Sequence, residues 1–178
     1  MIESERLILR RWKASDSEPL AQINADPKVM EYLLNPLSRE ESDATIARFE
    51  KHFDDHGYTR WALELKSTGE LIGYTGLFRP SFESHFTPCV EIGWRLAKNF
   101  SGHGYASEAA RAANADGFKR VGLQEIVSVT VPANRRSIAV MERIGMKRDI
   151  RGDFEHPMVP EGNPLRQHVL YRIRNSSE

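Results

Sequence analysis

The sequence predicts an α/β fold: a mixed, mostly antiparallel central sheet of about seven strands, flanked by about four helices. Three observations predict it. Short segments that alternate apolar and polar residues take turns with longer ones whose apolar residues recur every three or four positions. "TRWALELK" and "ELIGYTGLF" face each other across the short turn "STGE", which makes that pair antiparallel. Another strand-like segment, "CVEIGWRL", is followed by a glycine-led helix and a further strand, an order that needs a crossover. At 178 residues without an internal linker or repeat, the chain is expected to form one domain over 1–178.

The elements follow in order. "RLILRRW" (Arg6 to Trp12) sets Leu7 and Leu9 opposite Ile8 and reads as a strand. Ser15 or Asp16 then caps a helix carrying Leu20 and Ile23 that ends near Asp26-Pro27. "SREESDATIARFEKHFDDHG" places Ile46, Phe49 and Phe53 at helical spacing and stops at Gly57. "TRWALELK" and "ELIGYTGLF" form a hairpin across "STGE", and "CVEIGWRL" puts Val90, Ile92, Trp94 and Leu96 on one face and Glu91, Gly93 and Arg95 on the other. Ala106 to Arg120 is helical, with Ala109, Ala110, Ala113 and Phe118 near one stripe. "QEIVSVTV" is a strand, and "NRRSIAVMERIGM" is a short helix stopped by Gly145. "MKRDIRGDF" and "RQHVLYRI" are the last two strands, joined by the Pro-rich "HPMVPEGNP".

Composition narrows the function. Twenty-five basic side chains balance 25 acidic ones, so no net charge draws the chain to nucleic acid or to an anionic membrane, and neither is expected as a partner. Cys89 is the only cysteine, which rules out an intrachain disulfide. The N-terminus lacks the order of a signal peptide, and no apolar run approaches the roughly 20 residues of a membrane span. A cytoplasmic protein is expected. No Cys-x-x-Cys spacing is present, and no metal is expected.

The informative stretch is "NFSGHGYASEAARAA", Asn99 to Ala113, where Gly102 and Gly104 open a helix. The first N–H groups of a helix have no partner within it, and the helix dipole adds positive character there; a phosphate fits that end. A Walker loop needs Gly-Lys-Ser/Thr, which is absent, and a dinucleotide fingerprint needs a third glycine where Ser107 stands.

"EIGWRLAKNFSGHGYASEA" followed by "NRRSIAVMERIGMK" resembles the GNAT (Gcn5-related) N-acetyltransferase superfamily. Its phosphate loop, Gln/Arg-x-x-Gly-x-Gly/Ala, falls on Ser101, Gly102, His103, Gly104, Tyr105 and Ala106, with Ser101 at the usual Gln/Arg position. "GHGYASEA" and the opening "ESERLILRRWKASD" are similar to the RimJ/RimL-type branch, which acetylates the N-termini of ribosomal proteins. The resemblance implies the acyl-CoA N-acyltransferase fold, acetyl-CoA as co-substrate and an amine-bearing acceptor. It implies that Trp94, Arg95 and Leu96 pair their backbone with the pantetheine arm, that Ser101 to Ala106 hold the diphosphate, and that Asn134 fixes the arm near the thioester. Ser137 matches a serine that is a candidate to protonate the leaving thiolate; a tyrosine that many relatives use instead is Met141 here, which donates no proton.

An amine of ordinary pKa is mostly ammonium at neutral pH and needs a base before it attacks a thioester. Glu91, off the apolar face of the strand that meets the cofactor, is the first choice; His85 and His156 lie in loops that can approach the acceptor, and His103 is too close to the phosphates. Bland roles stand beside these: Glu91 as a salt-bridge partner of Arg95, Asn134 as a helix cap, Arg135 and Arg136 as solvated residues or contacts of the ribose phosphate. The expected activity is direct acetyl transfer to a primary amine, either a peptide or protein α-amine or a small molecule such as an aminoglycoside, polyamine or amino acid. A non-catalytic acyl-CoA-binding module is the rival. The segment from Asp26 to Gly57 is expected to line the acceptor cleft; its Glu40, Glu41, Asp43, Glu50, Asp54 and Asp55, set against Arg39, Arg48 and Lys51, suit a cationic acceptor or simply form a solvated helix face. Edge strands near the C-terminus make a homodimer a further expectation.

Overall fold

The computed structural model describes residues Met1 to Asn175. Eight strands form one sheet: β1 (Ile2–Glu3), β2 (Leu7–Arg10), β3 (Arg60–Leu65), β4 (Leu71–Phe78), β5 (Glu91–Leu96), β6 (Glu125–Thr130), β7 (Lys147–Glu155) and β8 (Gln167–Arg174), in the spatial order 1-2-3-4-5-6-8-7. The extra strand is β1, two residues that pair Ile2 with Leu9 and are too short to show a period. Every neighbouring pair is antiparallel except β5 and β6, which are parallel.

Four helices cover the sheet: α1 (Ser17–Ala25), α2 (Arg39–His56), α3 (Tyr105–Asp116) and α4 (Arg135–Arg143). Helix α2 starts with a capping box, Ser38 Oγ accepting from Glu41 N (3.2 Å) while the Glu41 carboxylate accepts from Ser38 N (2.7 Å). It ends at Gly57, whose φ of +75° favours glycine. Helix α3 crosses from β5 to β6, and its last turn widens into a π-helical turn over Gly117–Val121.

One face of the sheet buries Leu7, Leu9, Leu63 and Ile92 against Ala109, Ala110 and Ala113 of α3; the small alanines let that helix lie close. The other face buries Trp12, Leu20, Phe49, Ala62 and Tyr74 beneath α1 and α2. Burial on both faces is why Ala62 is as hidden as its neighbours Trp61 and Leu63.

The functional consequence lies between β5 and β6. Strand β5 is zipped to β4 over its whole length, Glu91↔Phe78 to Leu96↔Gly73. Gly73 allows that approach, because a Cβ there would sit 2.1 Å from the Arg95 carbonyl oxygen. Strand β6 is zipped to β8 from Glu125 to Thr130. The two half-sheets meet at a single residue pair, Glu91↔Val127, supported by Val127 N donating to Val90 O (2.9 Å) and Ser128 Oγ donating to Ile92 O (2.9 Å). Beyond Ile92 the strands part, and Gly93 to Leu96 pair with nothing on the β6 side among the described residues.

Candidate active site

The parting opens a cleft of about 470 Å³. Its floor is β5 from Glu91 to Leu96, one wall is the end of β6 with Asn134, Ser137 and Met141 of the α4 region, and the outer end is the turn before α3. The connection between α1 and α2 covers it with Lys28, Val29, Tyr32 and Leu33.

At the outer end, Gly102 (φ +86°) and Gly104 (φ +83°) are both left-handed, the backbone state glycine adopts without strain. This conformation aims the N–H groups of residues 102–107 away from the chain: none donates to a backbone carbonyl among the described residues. A Cβ at Gly102 would meet nothing within 4 Å, so the space in front of the loop is open to a ligand. The loop is braced from β2's approach. Arg6 donates from its guanidinium to the Glu108 carboxylate (2.7 Å) and to the His103 carbonyl (3.1 Å), and lies over the Tyr105 ring at 4.5 Å. A diphosphate is the group such a row of N–H donors at a helix start accepts best.

At the inner end stands Glu91. Arg60 of β3 donates to its Oε2 at 3.2 Å. Burial pushes the Glu91 carboxyl above the ordinary glutamate range, and the Arg60 guanidinium offsets that only in part. A carboxylate so placed is a stronger base than one in water. Across the cleft, Asn134 caps α4: its Oδ1 accepts from Ser137 N (3.2 Å), and its Nδ2 donates to Thr130 Oγ1 and Ser137 Oγ, both at 3.1 Å. Both amide hydrogens are thus spent within the protein, and one lone pair of Oδ1 remains for a ligand. Ser137 Oγ accepts in that network, so its own proton is free to be donated. Met141, 1 % exposed, offers none.

Residues 6–147 match the acetyltransferase (GNAT) domain family. The N-acetyltransferase YnaD of Bacillus subtilis, itself uncharacterised, is 33% identical over 172 residues, 97% of this chain and 95% of that one. The chain belongs to the GNAT acetyltransferase family. A GNAT-family acetyltransferase from Bacillus anthracis has the same fold, with 30% identity, 97% of each chain covered and a TM-score of 0.79. Two Vibrio proteins share the fold at lower identity. One is a ribosomal-protein-S5-alanine acetyltransferase from Vibrio fischeri (17%; 98% and 96% covered; TM-score 0.75). The other is a spermidine N-acetyltransferase from Vibrio cholerae, solved with CoA and spermine (19%; 95% of each covered; TM-score 0.73). The co-substrate of a GNAT acetyltransferase is acetyl-CoA.

The GNAT cleft gathers Glu91, Trp94, Arg95, Leu96, Ser101, Gly102, Gly104, Tyr105, Ala106, Asn134 and Ser137 along its lining. His103 is the exception: its side chain is exposed outside the cleft, beside Tyr105. The partner of Glu91 is Arg60 and not Arg95, whose guanidinium donates to Asn24 Oδ1 (2.6 Å). The segment from Asp26 to Gly57 does reach the cleft, but none of its acids is on the lining among the described residues. The connection at 28–33 lines the cleft, whereas Glu50 and Asp54 turn to Arg11, Asp43 to Arg39, and Asp55 to Lys51. His85 is exposed, and His156 packs behind the cleft against Phe82 (4.5 Å) and His168 (5.0 Å).

Sequence reasoning missed Arg60 and His168, both on the cleft lining. Because a carbonyl only accepts, the contact of His168 Nδ1 with Arg166 O (3.1 Å) puts the hydrogen on Nδ1 and leaves Nε2 basic. Burial lowers the pKa of His168 and, aided by His168, takes His156 to about 4, so both rings are neutral at physiological pH. Cys89 is the opposite case: burial first, then the Glu91 charge, push its thiol up to about 12, which leaves no thiolate to act as a nucleophile.

Proposed function

We propose that this GNAT acetyltransferase moves acetyl from acetyl-CoA directly to a primary amine, with Glu91 as the base and Ser137 as the proton donor to the departing thiolate. One observation carries the reading. The unpaired edge of β5, the N–H row before α3 and the carboxylate of Glu91 share a single cleft, with Glu91 at the point where the half-sheets part. In this reading the N–H groups of the loop hold the diphosphate, and the backbone of Trp94 to Leu96 pairs with the pantetheine amides. That leaves the thioester between Glu91 and Ser137.

The acceptor nitrogen attacks the carbonyl carbon; the N–C bond forms and the C–S bond breaks. The proton lost by the amine passes to Glu91, directly or through one water. The thiolate takes the Ser137 hydroxyl proton, which solvent replaces. In this reading a backbone N–H of β5 stabilises the carbonyl oxygen as charge develops on it. The one continuous sheet, β1 to β8, supports reading the chain as one acetyltransferase domain.

For the acceptor we propose the α-amino group of a peptide or protein N-terminus, on the similarity of "GHGYASEA" to the RimJ/RimL-type branch. A small-molecule amine is the second reading, favoured by the fold shared with the spermidine enzyme. Thiol release from acetyl-CoA across N-terminal peptides, polyamines, aminoglycosides and amino acids tests both. Turnover of peptides alone supports the first, and turnover of small amines alone supports the second. Silence throughout, with acetyl-CoA still bound, leaves a binding module or an acceptor outside the panel.

A further inference from the structure

The charged lining of the cleft is lopsided. Among the described residues, Lys28, Arg60, Arg95, Lys98, Arg136 and Arg143 line it, against the single carboxylate of Glu91. Arg143 turns toward Ser107 at the loop (3.2 Å), Lys98 lies just before that loop, and Arg136 is paired with Glu31 (2.9 Å). The remaining arginines sit at the inner end, on the face of the sheet opposite α3.

Arg60 is built into this position. It starts on β3, and its guanidinium spans β4 to rest on Gly93 of β5, a distance of two strand spacings, about 10 Å. A Cβ at Gly93 would come 2.9 Å from the Arg60 guanidinium, so the absent side chain is the seat of the cation. Its Nε is buried and has no hydrogen-bond partner. Arg95 lies over the Tyr74 ring at 5.3 Å and reaches a neutral amide, Asn24, with no carboxylate on it among the described residues. Arg48 of α2, exposed and 5.8 Å from the Phe78 ring, adds its charge to the fields of Arg60 and Arg95. Of these three guanidiniums only Arg60 reaches the Glu91 carboxylate among the described residues. Like charges held this close repel unless an anion joins them.

We infer that the acceptor carries a carboxylate close to its amine, which Arg60 and Arg95 hold while the amine faces Glu91. This rests on the acetyl-transfer reading above. The same chemistry comes from two sources, a free amino acid or an acidic residue at the start of a peptide. An acceptor of this kind completes the charge balance and fixes the amine by a charge-assisted anchor.

Matched pairs test it. Free amino acids are set against their α-carboxamides, and peptides beginning Glu or Asp against the same peptides beginning Gln or Asn. Thiol release gives kcat/KM for each, and calorimetry on CoA-loaded protein gives binding without chemistry. The expected result is at least a tenfold preference for the carboxylate member of one source. That preference should shrink at least fivefold in Arg95→Gln, and by less in Arg48→Gln. Amides or uncharged peptides turned over as well as the acids overturn the inference and leave acetyl transfer standing. If no member is turned over, binding of acids in preference to amides still supports the carboxylate seat, and equal or absent binding of both overturns it.

Discussion

Replacing Glu91 by Gln separates catalysis from architecture. The amide keeps the size of the carboxyl, and its oxygen still accepts from Arg60 at the 3.2 Å position. What disappears is the proton acceptor. A positioned base contributes about 10²–10⁴ in rate, which is about 2.7–5.5 kcal/mol of barrier. Acetyl-CoA affinity should stay within about twofold, because the N–H row lies at the far end of the cleft.

The folded-state pKa of Glu91 is raised, so the folded form holds the proton more tightly than the unfolded one. That contribution is fully present below the unfolded pKa and lost as pH rises through the folded value. At neutral pH the variant sheds this cost but deprives Arg60 of a counter-ion, so the net change should be within about 1 kcal/mol, a few degrees in melting temperature.

The assay is thiol release over a pH series, with acetyl-CoA binding and melting measured on the same samples. In the wild type, kcat/KM should climb with pH through a limb above the ordinary glutamate range, and Glu91→Gln should lose that limb. A fall under tenfold, or equal losses in rate and affinity, would refute the base assignment. A larger loss in His168→Gln than in Glu91→Gln would transfer the role to the imidazole.

Four further outcomes are expected. Gly104→Val forces a branched residue into φ +83°, costing about 1–2 kcal/mol of strain, and crowds the N–H row. Calorimetry should show acetyl-CoA binding weakened at least 100-fold, with melting lowered by only a few degrees. Arg6→Ala removes the brace on Glu108 and His103; at its partial exposure this is worth about 1 kcal/mol, so the Kd for acetyl-CoA should rise about fivefold. Cys89→Ala should keep activity within about twofold, and Cys89 should resist alkylation at pH 7.5, since its thiol titrates at about 12. His156 has its pKa lowered to about 4, so the unfolded chain binds the extra proton between about pH 6.5 and 4. Stability should therefore fall with acidification across that window, and urea titrations of His156→Phe should show a shallower dependence.

Much of this was legible in the chain because it is local. Gly102 and Gly104 advertise the loop, Ser38 and Gly57 bracket α2, and the alternation of Val90, Glu91 and Ile92 already turns Glu91 off the α3 face. What stayed hidden is set by pairing between distant segments. Arg60 reads as an ordinary strand residue until β3, β4 and β5 are laid side by side and Gly93 becomes its seat. His168 reads as a polar position in a last strand until β8 takes its place beside β6. The connection at 28–33 has no period to read, yet it supplies the cover of the cleft. The acids of α2 misled because composition along a helix says nothing of which face meets the cleft; theirs is spent on Arg11, Arg39 and Lys51.

The central claim is direct transfer between two substrates bound together in the cleft between β5 and β6. Initial rates with acetyl-CoA and one accepted amine, each varied at several fixed levels of the other, test it most directly. Lines that intersect in the double-reciprocal plot are the predicted result, since both substrates must be present before acetyl moves. Parallel lines would mean that CoA leaves before the amine enters and that the protein itself carries the acetyl group, which contradicts the account.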